Sequence, residues 1–260
     1  MRGFVKPIGD LKMDVNEIQQ YLPKGAVVRE GEYRKVMPQL LAEGFTPVTP
    51  AWVMDARNKQ PELFDTWIDT GLGVSGNEKT VTFHPTLLQT VNPKTKLSAG
   101  GFFVPKDYSG SYGTFDRAEI GPLDCELTEK EALEHQGWLF LAEGDTDRHA
   151  KNVEKSFKVG KDRFGYDRMM GFHVAKDGNV RALVFDRTNG RAYAVGNGYM
   201  GGNFARLVGV RSGVAPEGRE QVSTGSNGSL EALLKECNLK DVAELRRAAA
   251  YFNHNREMLK

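Results

Sequence analysis

Several classes of protein need features that this chain of 260 residues does not have. No apolar run approaches the roughly 20 residues of a membrane span, and mean hydropathy is −0.47. An integral membrane protein is therefore not expected. The opening stretch, residues 1–17, carries no apolar segment of the ~7–15 residues that a secretory signal uses. Cysteine is scarce: Cys125 and Cys237 lie 112 positions apart. That usage suits a reducing cytosol and allows one disulfide at most, so the expected location is cytoplasmic. Asn227-Gly-Ser229 has the form of a glycosylation triplet and, without a signal, reads as a turn. An excess of one charge is missing too. With 35 Lys+Arg against 34 Asp+Glu the net charge is +1, which excludes a globally basic nucleic-acid coat and an acidic disordered chain. The sequence has no internal repeat and no low-complexity tract.

What is present is enough for a sizeable core, with 40% hydrophobic and 10% aromatic residues. The expected fold class is α+β: an antiparallel β meander with N-terminal helices and a C-terminal helical extension. The body spans 1–211, helical over 1–71 and β-rich over 72–211. Asp14 with Glu17, and Thr128 with Glu131, have the spacing of capping boxes, in which each side chain takes up an unpaired backbone N–H. Tyr33, Val36, Met37, Leu40 and Leu41 recur at helical spacing over 31–43, with Gly44 as the stop and Pro38 as an expected kink or break. Val81–His84, Leu97–Val104 and Tyr112–Ile120 are β-rich. A polar helix is expected over 145–160. Over 165–211, Lys176-Asp-Gly-Asn179 and Thr188-Asn-Gly190 have hairpin-turn chemistry, which predicts the meander. A Gly/Ser-rich linker over 212–228 and a helical tail over 229–260 complete the reading.

Motifs that carry chemistry are few. Gly196-Asn-Gly198-Tyr-Met-Gly201 matches the dinucleotide fingerprint by letter. The stretch that follows is too short and Gly-broken for the helix that would present its N–H groups to a pyrophosphate, so it reads as a β-turn loop. Glu143, Asp145, Asp147 and His149 stand at every second position. In an extended chain they would share one face and could hold a divalent cation through oxygen and imidazole ligands. The competing reading makes Asp145 or Asp147 a helix N-cap. His84, His135, His173 and His254 are scattered, with no HxxxH, HExxH or CxxC spacing. No nucleophile elbow or Walker loop is present, and Cys125 lies between Asp124 and Glu126, which disfavour its thiolate.

The balanced total conceals segregation. Over 116–147 ten acids face two bases, a net of −8; over 148–211 thirteen bases face five acids, a net of +8. Aromatics interleave with the basic residues, a composition suited to holding a phosphate backbone while stacking bases. The expectation is a soluble, non-catalytic binding protein that meets nucleic acid or an acidic protein partner through Arg148, Lys151, Lys155, Lys158, Lys161, Arg163, Arg168, Tyr166 and Tyr193, without a cofactor. The alternative is a metal-dependent hydrolase of phosphate esters, with the ion held by Glu143, Asp145, Asp147 and His149 and substrate charge offset by Arg148 and Lys151. Which applies turns on whether 116–147 covers 148–211 in the fold.

Overall fold

The computed structural model describes residues 13–211, apart from 107, 109, 111, 112, 197 and 198. The expected linker and helical tail lie outside the described residues. In chain order the elements are α1 (Val15–Tyr21), β1 (Ala26–Gly31), α2 (Tyr33–Ala42), β2 (Phe45–Pro47), α3 (Pro50–Lys59), a 3-10 turn (Pro61–Asp65), β3 (Ile68–Gly76) and β4 (Thr80–His84). A second 3-10 turn (Leu87–Thr90) follows, then β5 (Gly113–Asp116), α4 (Arg117–Ile120), α5 (Glu129–Glu134), α6 (Gln136–Leu141), α7 (Thr146–Phe164), β6 (Phe172–Val174) and β7 (Arg181–Phe185). A third 3-10 turn (Thr188–Gly190), β8 (Ala194–Gly196) and β9 (Ala205–Arg211) complete the described part.

Among the described residues, nine strands form one sheet, in the path β1-β9-β3-β7-β8-β6, with β2 beside β9 and β4 between β3 and β5. The fold is thus an α+β mix, but the antiparallel meander is not what forms. β6 pairs β8 in parallel and β3 pairs β9 in parallel, while the other pairings are antiparallel. The Asp-Gly turn at 176–179 does not close a hairpin: β6 and β7 are not neighbours, and β8 lies between them. Gly178 does take the positive φ, +76, that the turn chemistry calls for, but a turn residue does not choose which strand its flanks pair with. The stretch read as helical, 1–71, also contains β1, β2 and the start of β3. Over 97–104 the β character shrinks to isolated bridges, Ser98 with Gly101 and Phe102 with Val180.

Local signals hold where they depend on neighbours in sequence. Both capping boxes are formed. α2 passes through Pro38 as one helix and stops at Gly44, whose φ of +77 suits glycine. Trp138–Leu141 is helical, started by His135, whose Nδ1 accepts the N–H groups of Gly137 and Trp138.

Period-2 alternation sends successive strand residues to opposite faces. Leu183 and Val208 join one core with Ile18 of α1, Val53 of α3, Trp138 of α6 and Val153 of α7. Ala182 and Leu207 join a second, with Val36, Met37 and Leu40 of α2. Helices therefore cover both faces. At the margin of the sheet, the Gln19 amide donates to Ala26 O at 2.9 Å and accepts from Val28 N at 3.2 Å, pairing with the outer side of β1.

β3 sits in the middle of this sheet and is rich in glycine. A Cβ on Gly71 would lie 2.8 Å from Pro47 Cγ, and one on Gly73 would lie 2.9 Å from Val180 Cγ1. The missing side chains let neighbouring segments close in on the strand. The ladder to β7 slips register between Asp69 and Gly73, as a β-bulge does.

Candidate functional site

The slip in β3 re-aims the strand beside Asp69. Ile68 belongs to the first core, so Asp69 faces the α2 side of the sheet. There it lines a cavity of about 370 Å³ together with Tyr33, Trp67, Tyr199, Met200 and Phe204. Tyr33 opens α2 and is fully buried; its hydroxyl donates to Thr70 O at 2.8 Å, within the slipped stretch. The Thr70 hydroxyl in turn donates to Leu183 O at 2.9 Å, so the distorted stretch is anchored from both sides. Met200 N donates to Gly100 O at 2.8 Å and fixes the far wall. Tyr199 and Phe204 form the rim, 69% and 71% exposed.

Asp69 is a buried carboxyl. Arg206 N donates to Asp69 Oδ2 at 2.7 Å. Desolvation nevertheless raises its pKa from the ordinary carboxylate value to about 6, the Arg206 amide and guanidinium pulling the other way. The guanidinium itself is engaged elsewhere. Its Nε donates to Glu30 Oε2 at 2.6 Å, its Nη1 donates to Thr66 Oγ1 at 2.8 Å, and it lies 3.8 Å from the centre of the Trp67 ring. Trp67 Nε1 donates to Phe204 O at 3.0 Å, tying wall to rim. Glu30 thus pairs with the guanidinium while Asp69 bonds the backbone N–H of the same residue, and among the described residues no cationic side chain bonds Asp69.

The residues singled out in sequence are placed differently. Arg148 is buried, bonded to Asp55 Oδ1 at 2.9 Å and Ala142 O at 2.7 Å. Lys155 donates to Asn58 O. Lys158 pairs with Asp162 at 2.8 Å, Arg163 with Asp65 at 2.6 Å, and Arg168 with Glu131 at 3.0 Å. Tyr193 donates to Glu126 Oε1 at 2.9 Å and Tyr166 to Asn189 O at 3.2 Å. Of the named cations, Lys151, Lys155 and Lys161 have no ion-pair partner among the described residues; Lys151 and Lys161 are exposed, whereas Lys155 is held by the Asn58 carbonyl. The acidic and basic segments do touch: besides Arg168–Glu131, Arg191 pairs with Glu126 at 2.5 Å and His173 Nδ1 lies 3.6 Å from Asp124. The named cations are mostly engaged inside the fold rather than gathered on one free face.

Glu143, Asp145, Asp147 and His149 do not converge, because the segment is a turn followed by a helix, not an extended chain. Asp145 is the N-cap of α7 and accepts from Arg148 N at 2.9 Å. Glu143 has φ +60 and lies by Thr49. His149 is buried, with Nε2 3.2 Å from Leu133 O. Among the described residues no group of three or more His, Cys, Asp or Glu could hold a metal ion. The letter match at 196–201 begins at the end of β8, and among the described residues the next element after it is β9 rather than a helix, yet its Tyr199 and Met200 line the cavity. The residues that sequence reasoning missed are Tyr33, Trp67, Asp69 and Arg206. One signal was available: a lone aspartate inside the strand-like run Ile68–Gly76.

No family profile, no curated protein and no solved structure matches this chain.

Proposed function

We propose that this is a binding protein whose site is the cavity lined by Tyr33, Trp67, Asp69, Tyr199, Met200 and Phe204. One observation carries the reading: a buried carboxyl of raised pKa is placed beside a strand distortion, in an apolar cavity of ligand size with aromatic walls. The reading is of binding rather than catalysis, because among the described residues the lining brings one carboxyl and no histidine, cysteine or lysine to exchange a proton with it. The Trp67 indole N–H, bonded to Phe204 O, is a reporter at the rim. Titration of the full chain with small aromatic and alkyl compounds, neutral and charged, is expected to shift that resonance ahead of the indole signals of Trp52 and Trp138. If no compound moves it at millimolar concentration, the cavity is not a ligand site.

A second reading, contact with nucleic acid or an acidic protein partner, is supported by Lys151 and Lys161, which project from α7 without a described partner. Two free cations predict weak binding of labelled RNA or DNA, with a slope of about −2 in log affinity against log salt. Absence of salt-sensitive binding at low ionic strength removes the nucleic-acid form.

A further inference from the structure

The cavity has a charge preference that its apolar walls alone would not give. Among the described residues its lining contains one carboxylic acid, Asp69, only 7% exposed, and no cationic side chain. The nearest guanidinium, Arg206, is taken up by Glu30 and Thr66, and the Arg206 contact to Asp69 is made by the backbone N–H. The negative charge left to the cavity is therefore that of Asp69. Around it stand Tyr33, Trp67, Tyr199 and Phe204, whose ring faces carry negative potential. Trp67 already receives one cation, the Arg206 guanidinium, against its ring. An anion entering here would meet a carboxylate in a desolvated setting and negative ring faces, and is rejected on both counts. A neutral apolar molecule would fill the space but leave the carboxylate unmatched.

Resting on the reading of this cavity as a ligand site, we infer that its ligand is a small organic ammonium ion. The alkylated nitrogen would lie among the rings with its charge facing Asp69, and the rest of the molecule would lie toward the exposed rim of Tyr199 and Phe204. Alkylated ammonium ions suit this arrangement because they give up water more readily than a primary amine and need few hydrogen bonds. The aromatic faces supply the attraction that hydrogen bonds would otherwise have to make.

The test compares a cation with its neutral isostere: choline against 3,3-dimethylbutan-1-ol, and benzyltrimethylammonium as a larger probe. Each is titrated into the full chain, read by the Trp67 indole resonance and by calorimetry. The expected result is at least tenfold tighter binding of choline than of the alcohol, with that difference erased in Asp69→Asn. Asparagine keeps an acceptor for the Arg206 N–H, so the fold is retained; a circular-dichroism melt checks it. If Asp69→Asn does not fold, the cation–isostere comparison in the parent chain still decides. Phe204→Ala, at an exposed position, is expected to weaken choline and benzyltrimethylammonium several-fold. If choline and the alcohol bind equally, the ammonium assignment is overturned while the cavity stands as a ligand site. If neither moves the Trp67 signal while another compound does, the ammonium assignment is overturned and the cavity stands as a ligand site; if no compound at all moves it, both readings fail.

Discussion

On the outer face of α7, charges stand in water beside opposite charges: Lys158 with Asp162, Arg163 with Asp65. In the cavity a carboxyl is held away from water, beside rings and without a cationic side chain to bond it. Both regions combine charge and aromatics, so composition cannot tell them apart. Physically they differ in what a charge costs. On α7 solvent screens each ion, and such pairs add little, about 0–1 kcal/mol each. In the cavity, desolvation makes the same kind of group expensive to keep ionised, and that cost makes the carboxyl sensitive to what binds beside it. Counting charges by segment finds the first region; burial finds the second.

The comparison can be broken or sharpened by experiment. The largest effect is expected from Arg206→Ala. It leaves Glu30 and Thr66 without their partner and removes the cation from Trp67, so urea unfolding should show a loss of about 3 kcal/mol, in the range for breaking a buried ion pair. A loss under 1 kcal/mol would mean that the arrangement behind the cavity is as dispensable as the surface of α7.

Acid should come next. His84 and His135 are both lowered to about 4, and His149 is lowered as well, burial being the first cause in each case. Their unfolded values are higher, so the unfolded chain binds more protons and stability falls as pH drops from about 6.5 towards 4. Protonation also takes away the acceptor with which His135 Nδ1 caps α6. The summed loss is on the order of 3 kcal/mol after discounting for incomplete burial. It is partly offset by Asp69, whose raised folded value favours the fold in acid. Denaturant midpoints measured from pH 7.5 to 4.5 would show it; a flat profile would contradict the burial of these imidazoles.

Asp69→Asn is expected to act in the opposite direction. With a folded pKa near 6, the carboxylate costs stability once ionised, so the variant should be more stable than the parent at pH 8 by about 2 kcal/mol, and the gain should vanish below pH 4. A stabilising substitution that abolishes binding marks a residue kept for function. Should Asp69→Asn destabilise the chain at pH 8, the aspartate is structural. The smallest effect belongs to α7: Lys151→Ala and Lys161→Ala should change stability by no more than about 0.5 kcal/mol. A larger loss would show that these cations are engaged after all.

What the sequence revealed follows interaction range. Asp14 with Glu17, Thr128 with Glu131, and Asp145 ahead of α7 were legible because a cap is made within three or four residues. The polar helix at 145–160 appears as Thr146–Phe164. The sheet order was not legible. The parallel partners β6 and β8 are separated by β7, and β3 meets β9 across more than a hundred residues, so nothing local encodes either pairing. β1 was missed because a six-residue strand between two helices carries too little alternation. The site was hidden for the same reason as the topology. Its walls come from α2, β3 and the segment before β9, and only the fold brings Tyr33, Asp69 and Phe204 to one cavity. Even the acidic and basic segments, visible as arithmetic, said nothing of Asp55 and Asp65, which receive Arg148 and Arg163 from the region before β3.

The Gln19 amide has a bearing on how the molecule keeps to itself. A sheet that ends in bare backbone is a template on which another chain can crystallise its own strand, and the margin of β1 has the β-branched residues that make such growth favourable. Gln19 presents an N–H and a C=O to Ala26 and Val28 in the manner of a passing peptide. A newcomer therefore finds those two places taken, and would have to evict a side chain held in place by its own helix. One glutamine thus acts as a stopper, and the chemistry that blocks the place is the same amide chemistry that would have filled it.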